Sequence, residues 1–143
     1  MSRTELLQVV QRYYDGCNRA DETLMMSTFD PDVVHYFTHH APVRGAAMLA
    51  RYWAGMQPKI SGYWTLDHGI ASDQEAVIEW TLRWTAPGEQ RTLLMRGAEW
   101  YLFRGARIAE IRAYYANPRS PLPSPDDFEL LEFPYLERGY PVR

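Results

Sequence analysis

Cys17 is the only cysteine, so the chain holds no internal disulfide and no thiolate metal cluster. It falls on the apolar stripe of an expected helix and reads as a small core residue. Basic residues are not in excess: 15 Lys and Arg stand against 18 Asp and Glu, for a formal net charge of −3. A nucleic-acid partner, which demands a basic face, is therefore not expected. No apolar run approaches a membrane span, so no membrane partner is expected. The N-terminal segment has no apolar signal-peptide core, so a cytoplasmic location is the expectation. Repeats and low-complexity tracts are also missing. Aromatic residues, by contrast, make up 14% of the 143 residues, and five Trp are among them. Such a surplus can line a ligand cavity or fill a core. The length suits one domain with a proper core.

Helical spacing comes first along the chain. Leu6, Val9, Val10, Tyr13 and Cys17 form one apolar face over residues 3–19, and Ser2 with Glu5 has capping-box spacing. Asp21 is placed as the N-cap of a short second helix carrying Leu24, Met25 and Phe29. Asp30, Pro31 and Asp32 read as the turn that ends it, before a short strand from Val33 to Phe37. A loop through His39, His40 and Pro42 leads to Gly45 and a third helix with Leu49, Tyr52, Trp53 and Met56.

From Tyr63 the period becomes two. Trp64, Leu66, His68 and Ile70 alternate with Tyr63, Thr65, Asp67 and Gly69. Ile78, Trp80, Leu82 and Trp84 alternate with Glu79, Thr81 and Arg83. A turn at 86–89 joins this strand to a long one, 91–104, and a turn at 104–106 leads to the last, 108–115. Helices followed by a meander of long strands predict an α+β fold with an antiparallel sheet. After Asn117 the chain is rich in proline, which argues against helix or central strand. That stretch still carries Phe128, Leu130, Leu131, Phe133, Tyr135 and Tyr140. The expectation is a domain over 1–117 and an extension over 118–143 that packs on the domain or on a dimer partner.

Glu99 is the most telling residue. It is one acid in a strand-like run of apolar and aromatic neighbours, Ala98, Trp100, Tyr101, Leu102 and Phe103. Apolar surroundings destabilise a charged carboxylate, and such groups are often the working parts of small-molecule enzymes. The same pattern also fits a glutamate on the polar side of a strand.

Three segments resemble the steroid delta-isomerases of the nuclear transport factor 2-like superfamily. They are Val10-Gln11-Arg12-Tyr13 with Asn18-Arg19-Ala20-Asp21, then Phe29 to Tyr36, then Arg96 to Phe103. The superfamily also holds scytalone dehydratase, limonene epoxide hydrolase and polyketide cyclases of the SnoaL type. The resemblance covers 3–117. It implies a cone-shaped curved sheet wrapped around three N-terminal helices, with an apolar cavity. It puts Tyr13 at the oxyanion-hole tyrosine, Glu99 at the protonated acid and Tyr36 where the isomerases carry an aspartate base. Tyrosine is a poor base at neutral pH, its unperturbed pKa being about 10. His68, similar in placement to a cavity histidine of the dehydratases, is the expected proton carrier. Limonene epoxide hydrolase has an acid where this chain has Ala113.

The expected catalytic set is therefore Tyr13, His68 and Glu99, and the expected cavity wall is Tyr36, Trp53, Trp64, Trp80, Trp84, Met95 and Ala113. Two hydrogen-bond donors on a carbonyl oxygen plus a mobile proton permit isomerisation, loss of water or ring closure, without metal or organic cofactor. The substrate would be a small hydrophobic carbonyl compound such as a polyketide, steroid-like or terpenoid molecule. The alternative is a non-catalytic ligand-binding or structural member of the same fold. His35 and His39 share strand parity, but no carboxylate stands at ligand spacing, so no metal site is expected. Glu79, Arg83, Glu110 and Arg112 fall on the opposite sheet face with Leu94, Trp100 and Leu102. That face is either solvated or covered by a partner, and a homodimer is the expectation.

Overall fold

A computed structural model of the chain describes residues 2–115 and 137–139. Helix α1 (Arg3–Arg19) starts at the expected capping box: Ser2 Oγ accepts from the Glu5 amide, and the Glu5 carboxylate accepts from the Ser2 amide. It ends on Ala20, whose φ of 51° puts it in the left-handed region. Asp21 caps α2 (Glu22–Thr28) by accepting from the Leu24 amide at 3.0 Å. Gly16 allows the two helices to meet, since a Cβ there would lie 2.6 Å from Met25 Cγ.

Strand β1 (Phe29–Tyr36) follows at once, so the Asp30-Pro31-Asp32 segment lies inside a strand instead of forming the expected turn. Its turn chemistry survives locally, with the Asp32 amide donating to Asp30 Oδ1 at 3.0 Å. The register is irregular between Phe29 and Val34, which leaves room for a proline that cannot donate to a ladder. A two-residue strand β2 (Val43–Arg44), too short for a periodicity signal, leads into α3 (Ala46–Ile60). Four long strands complete the chain: β3 (Tyr63–Ser72), β4 (Glu75–Trp84), β5 (Leu93–Arg104) and β6 (Arg107–Tyr115).

The sheet order is β2-β1-β6-β5-β4-β3. β1 runs parallel to β6 and every other pairing is antiparallel, so the sheet is mixed. The three helices and this open, curved sheet form the expected α+β cone. The sheet's inner face packs against α1 in one core that includes Leu6, Val10, Tyr13, Ile78, Tyr101 and Ile111. Asn18 pins α1 to the sheet by a two-way contact with the Trp64 backbone, accepting from its amide at 2.7 Å and donating to its carbonyl at 2.9 Å.

On the outer face, Glu110 and Arg112 are buried and not solvated; they pair at 2.6 Å, and Arg112 lies over the Trp100 ring. Arg138 also pairs with Glu110. The rest of the proline-rich extension, and the expected boundary near 117, lie outside the described residues. No helix among the described residues is long and apolar enough to cross a membrane.

Candidate active site

The inner face of the sheet and the inward side of α3 line a partly open cavity of about 180 Å³. Strand parity decides what faces it. On β5, Met95 and Glu99 point inward; on β4, Trp80, Leu82 and Trp84 do; on β6, Ala113 and Tyr115 do. Helix α3 adds Tyr52, Trp53, Met56 and Ile60, and α1 adds Tyr13, Tyr14 and Cys17. Gly97 matters to this wall: a Cβ on it would lie 2.4 Å from Trp80 Cζ2, so only glycine leaves space for the indole.

Glu99 is 6% exposed, and the register sets it between Ile78 and Ala113. The open reading of this residue thus resolves toward the cavity. Its carboxyl group has three polar neighbours. Tyr14 Oη donates to Oε1 at 2.7 Å, Tyr101 Oη donates to Oε2 at 3.2 Å, and His35 Nε2 lies 3.5 Å from Oε2. His35 is held on its other side, with Nδ1 3.2 Å from the Tyr36 carbonyl oxygen. A carbonyl only accepts, so Nδ1 carries its hydrogen and Nε2 is the atom left to exchange a proton with Glu99. The imidazole is stacked on Phe37 at 4.0 Å and meets the edge of Trp53 at 5.7 Å. Burial first, and the Glu99 charge second, push the Tyr14 and Tyr101 phenols well above their usual value. Tyr13 is pushed up by burial and then by Cys17, and burial raises the Cys17 thiol. These phenols hold their protons at neutral pH and act as hydrogen-bond donors.

A second polar group lies at another part of the wall. Tyr115 Oη is hydrogen bonded to His39 Nδ1, and His40 Nε2 is 3.0 Å from Tyr52 Oη. His39 is pulled down to about 4 by burial and by His40 beside it, so it is neutral at pH 7.

Six of the seven expected wall residues line the cavity: Trp53, Trp64, Trp80, Trp84, Met95 and Ala113. Tyr36 does not. It is half-buried on the opposite parity of β1, with Arg44 over its ring at 6.0 Å. Its neighbour His35 takes the inward place, together with Val33 and Phe37. Tyr13 does line the cavity, but it packs edge-on against Tyr14, Phe29 and Tyr101, and the adjacent Tyr14 reaches Glu99. His68 is not brought to the site. A bulge between Leu66 and His68 sets Leu66 opposite Trp80 but His68 opposite Glu79. One extra residue, Asp67, reverses the parity, so His68 and Ile70 face outward and are exposed. His35 and His39 go to separate partners, Glu99 and Tyr115. No group of three or more His, Cys, Asp or Glu that could hold an ion occurs among the described residues.

The sequence matches the SnoaL-like domain model over residues 10–111. Among curated proteins none matches. Solved structures do. A protein of unknown function with a cystatin-like fold from Methylobium petroleophilum is 36% identical, with 100% of this chain and 95% of that chain covered and a TM-score of 0.76. A putative polyketide cyclase from Xanthomonas campestris shares 22% identity over 80% of this chain and 92% of its own, with a TM-score of 0.69. An LEH-like epoxide hydrolase from M. tuberculosis shares 17% identity over 80% of this chain and 84% of its own, with a TM-score of 0.70. The last two likenesses are of fold. With the domain match spanning most of the chain, this protein belongs to the SnoaL-like domain family.

Proposed function

We propose that the cavity is the active site of a cofactor-independent acid/base enzyme acting on a small hydrophobic carbonyl compound. One observation carries this reading: Glu99 is buried in an aromatic cavity in contact with His35 and Tyr14. The family match and the polyketide cyclase and epoxide hydrolase likenesses agree with a small-molecule enzyme. The Glu99–His35 pair takes a proton from the carbon beside the carbonyl and holds it between Oε2 and Nε2. The electron pair left behind moves onto the carbonyl oxygen, giving an enolate. Return of the proton to another carbon is isomerisation. Its delivery to a departing hydroxyl is loss of water, and attack of the enolate on a second carbonyl is ring closure. All three are redox-neutral and start from the same proton transfer, so none calls for a metal or organic cofactor. None of the described lining residues is Lys or Arg, which suits a neutral substrate. We also propose that the chain acts as a homodimer paired through the outer sheet face.

A second reading, ligand binding without turnover, draws on the outward turn of Tyr36: β1 offers no aspartate to the cavity. Deuterium exchange separates the two. Acetophenone in D2O, followed by proton NMR, should lose its methyl signal faster with the protein than without it. Glu99→Gln should remove that acceleration, with a loss of about 10²-fold or more. Binding of acetophenone without accelerated exchange would leave the carrier reading.

A further inference from the structure

The cavity has two polar ends, and the proposed chemistry uses only one. The first is Glu99 with His35, Tyr14 and Tyr101. The second is the Tyr115–His39 hydrogen bond, next to Tyr52 and His40. Glu99, Tyr14, His35, His39, Tyr52 and Tyr115 all line the same space.

Their separation follows from the ladder. Glu99 lies opposite Ala113, while Gly97 lies opposite Tyr115. Ala113 and Tyr115 are two residues apart on one face of β6, a rise of roughly 7 Å. The chain after β1 repeats the spacing. Phe37 is stacked on His35 at 4.0 Å and meets the ring of His39 at 6.4 Å. One phenyl side chain therefore stands between the two imidazoles. The wall between the ends is apolar, with Trp80 packed against Tyr115 at 5.8 Å and Ala113 small enough to leave the floor open.

One further observation describes the occupant. The volume is about 180 Å³. A dry protein cavity of about 150 Å³ accommodates benzene, so this one suits a single substituted ring better than a fused polycycle.

We propose that the ligand is a neutral single-ring compound with oxygen functions at opposite ends. The C–H beside a carbonyl is addressed by Glu99 and His35, and a hydroxyl or second carbonyl is addressed by the Tyr115–His39 pair. This rests on the proposed role of the Glu99 end and adds a second recognition point to it. A tyrosine hydroxyl bonded to a neutral imidazole can serve such a group in either direction. If it donates to the ring, its lone pairs accept a ligand hydroxyl; if it accepts from the ring, its hydrogen is free for a carbonyl.

Calorimetric titration of the full chain with 4-hydroxyacetophenone and with acetophenone tests this. The compound with two oxygens should bind about tenfold tighter, the yield of one added net hydrogen bond. That ratio should fall to near one in Tyr115→Phe and in His39→Ala. The wild-type ratio stands by itself if either variant fails to fold. Equal affinities, or a ratio that survives in both variants, overturn the second recognition point. Accelerated exchange of acetophenone would then leave the Glu99–His35 chemistry standing. Binding of neither ring overturns both.

Discussion

Tyr14 and Glu99 stand 85 positions apart in sequence and 2.7 Å apart in space. Nothing local announces such a pair. The helical stripe through Leu6, Val10, Tyr13 and Cys17 makes Tyr13 the obvious inward tyrosine, yet Tyr14 is equally buried because α1 is covered on more than one side. The contact also has energetic weight. Tyr14→Phe leaves a buried carboxyl oxygen short of a donor and should cost about 1–3 kcal/mol in urea unfolding. His35 had a signal that the expectation of Tyr36 in the wall overlooked: Val33, His35 and Phe37 alternate on one face, and that parity points the imidazole inward. His39 makes a pH prediction. Its folded value of about 4 lies below the ordinary 6.5, so between these values the unfolded chain binds the extra proton. Stability should therefore fall as pH drops from 6.5 toward 4, with no contribution from this group above that window. Melting temperatures across the range should decline less steeply for His39→Gln than for the wild type.

Elements were legible where a local rule governs them. α1 runs over the predicted residues because Ser2 and Glu5 define its start and the chain turns left-handed at Ala20. That last residue is not the one chemistry prefers. A non-glycine residue in the left-handed region costs roughly 1 kcal/mol, so Ala20→Gly should raise stability by about that amount in chemical denaturation. Elements were misread where an irregularity intervenes. The bulge at Asp67 has no signature in a run that alternates cleanly from Tyr63 to Ile70, because the partner strand, not the run itself, decides which residue is extra. Asp30-Pro31-Asp32 has every mark of a turn and lies in a strand whose register shifts around it.

For the whole molecule, the order of helices and strands was enough to predict an α+β fold, and the family resemblance supplied the cone. The parallel pairing of β1 with β6 was not legible, since it joins segments from opposite ends of the domain and no hairpin turn links them. The outer sheet face is the other whole-molecule feature. Tyr63, Ile70 and Leu94 are each more than half exposed there, with Trp100 and Tyr114 close behind. Such exposed apolar side chains are what the proposed homodimer would cover. Light scattering at micromolar concentration should give a dimer mass, and Leu94→Glu should shift it toward the monomer. A monomeric wild type would count against pairing through this face.

Four of the five tryptophans, Trp53, Trp64, Trp80 and Trp84, line the cavity. The fifth, Trp100, belongs to the outer face. The protein's ultraviolet emission therefore comes mainly from the walls of one compartment. A molecule entering that compartment alters the surroundings of most of the emitters at once, and energy transfer to an absorbing ring quenches them. The chain thus carries its own optical reporter, and libraries of unlabelled compounds can be screened against it by fluorescence alone.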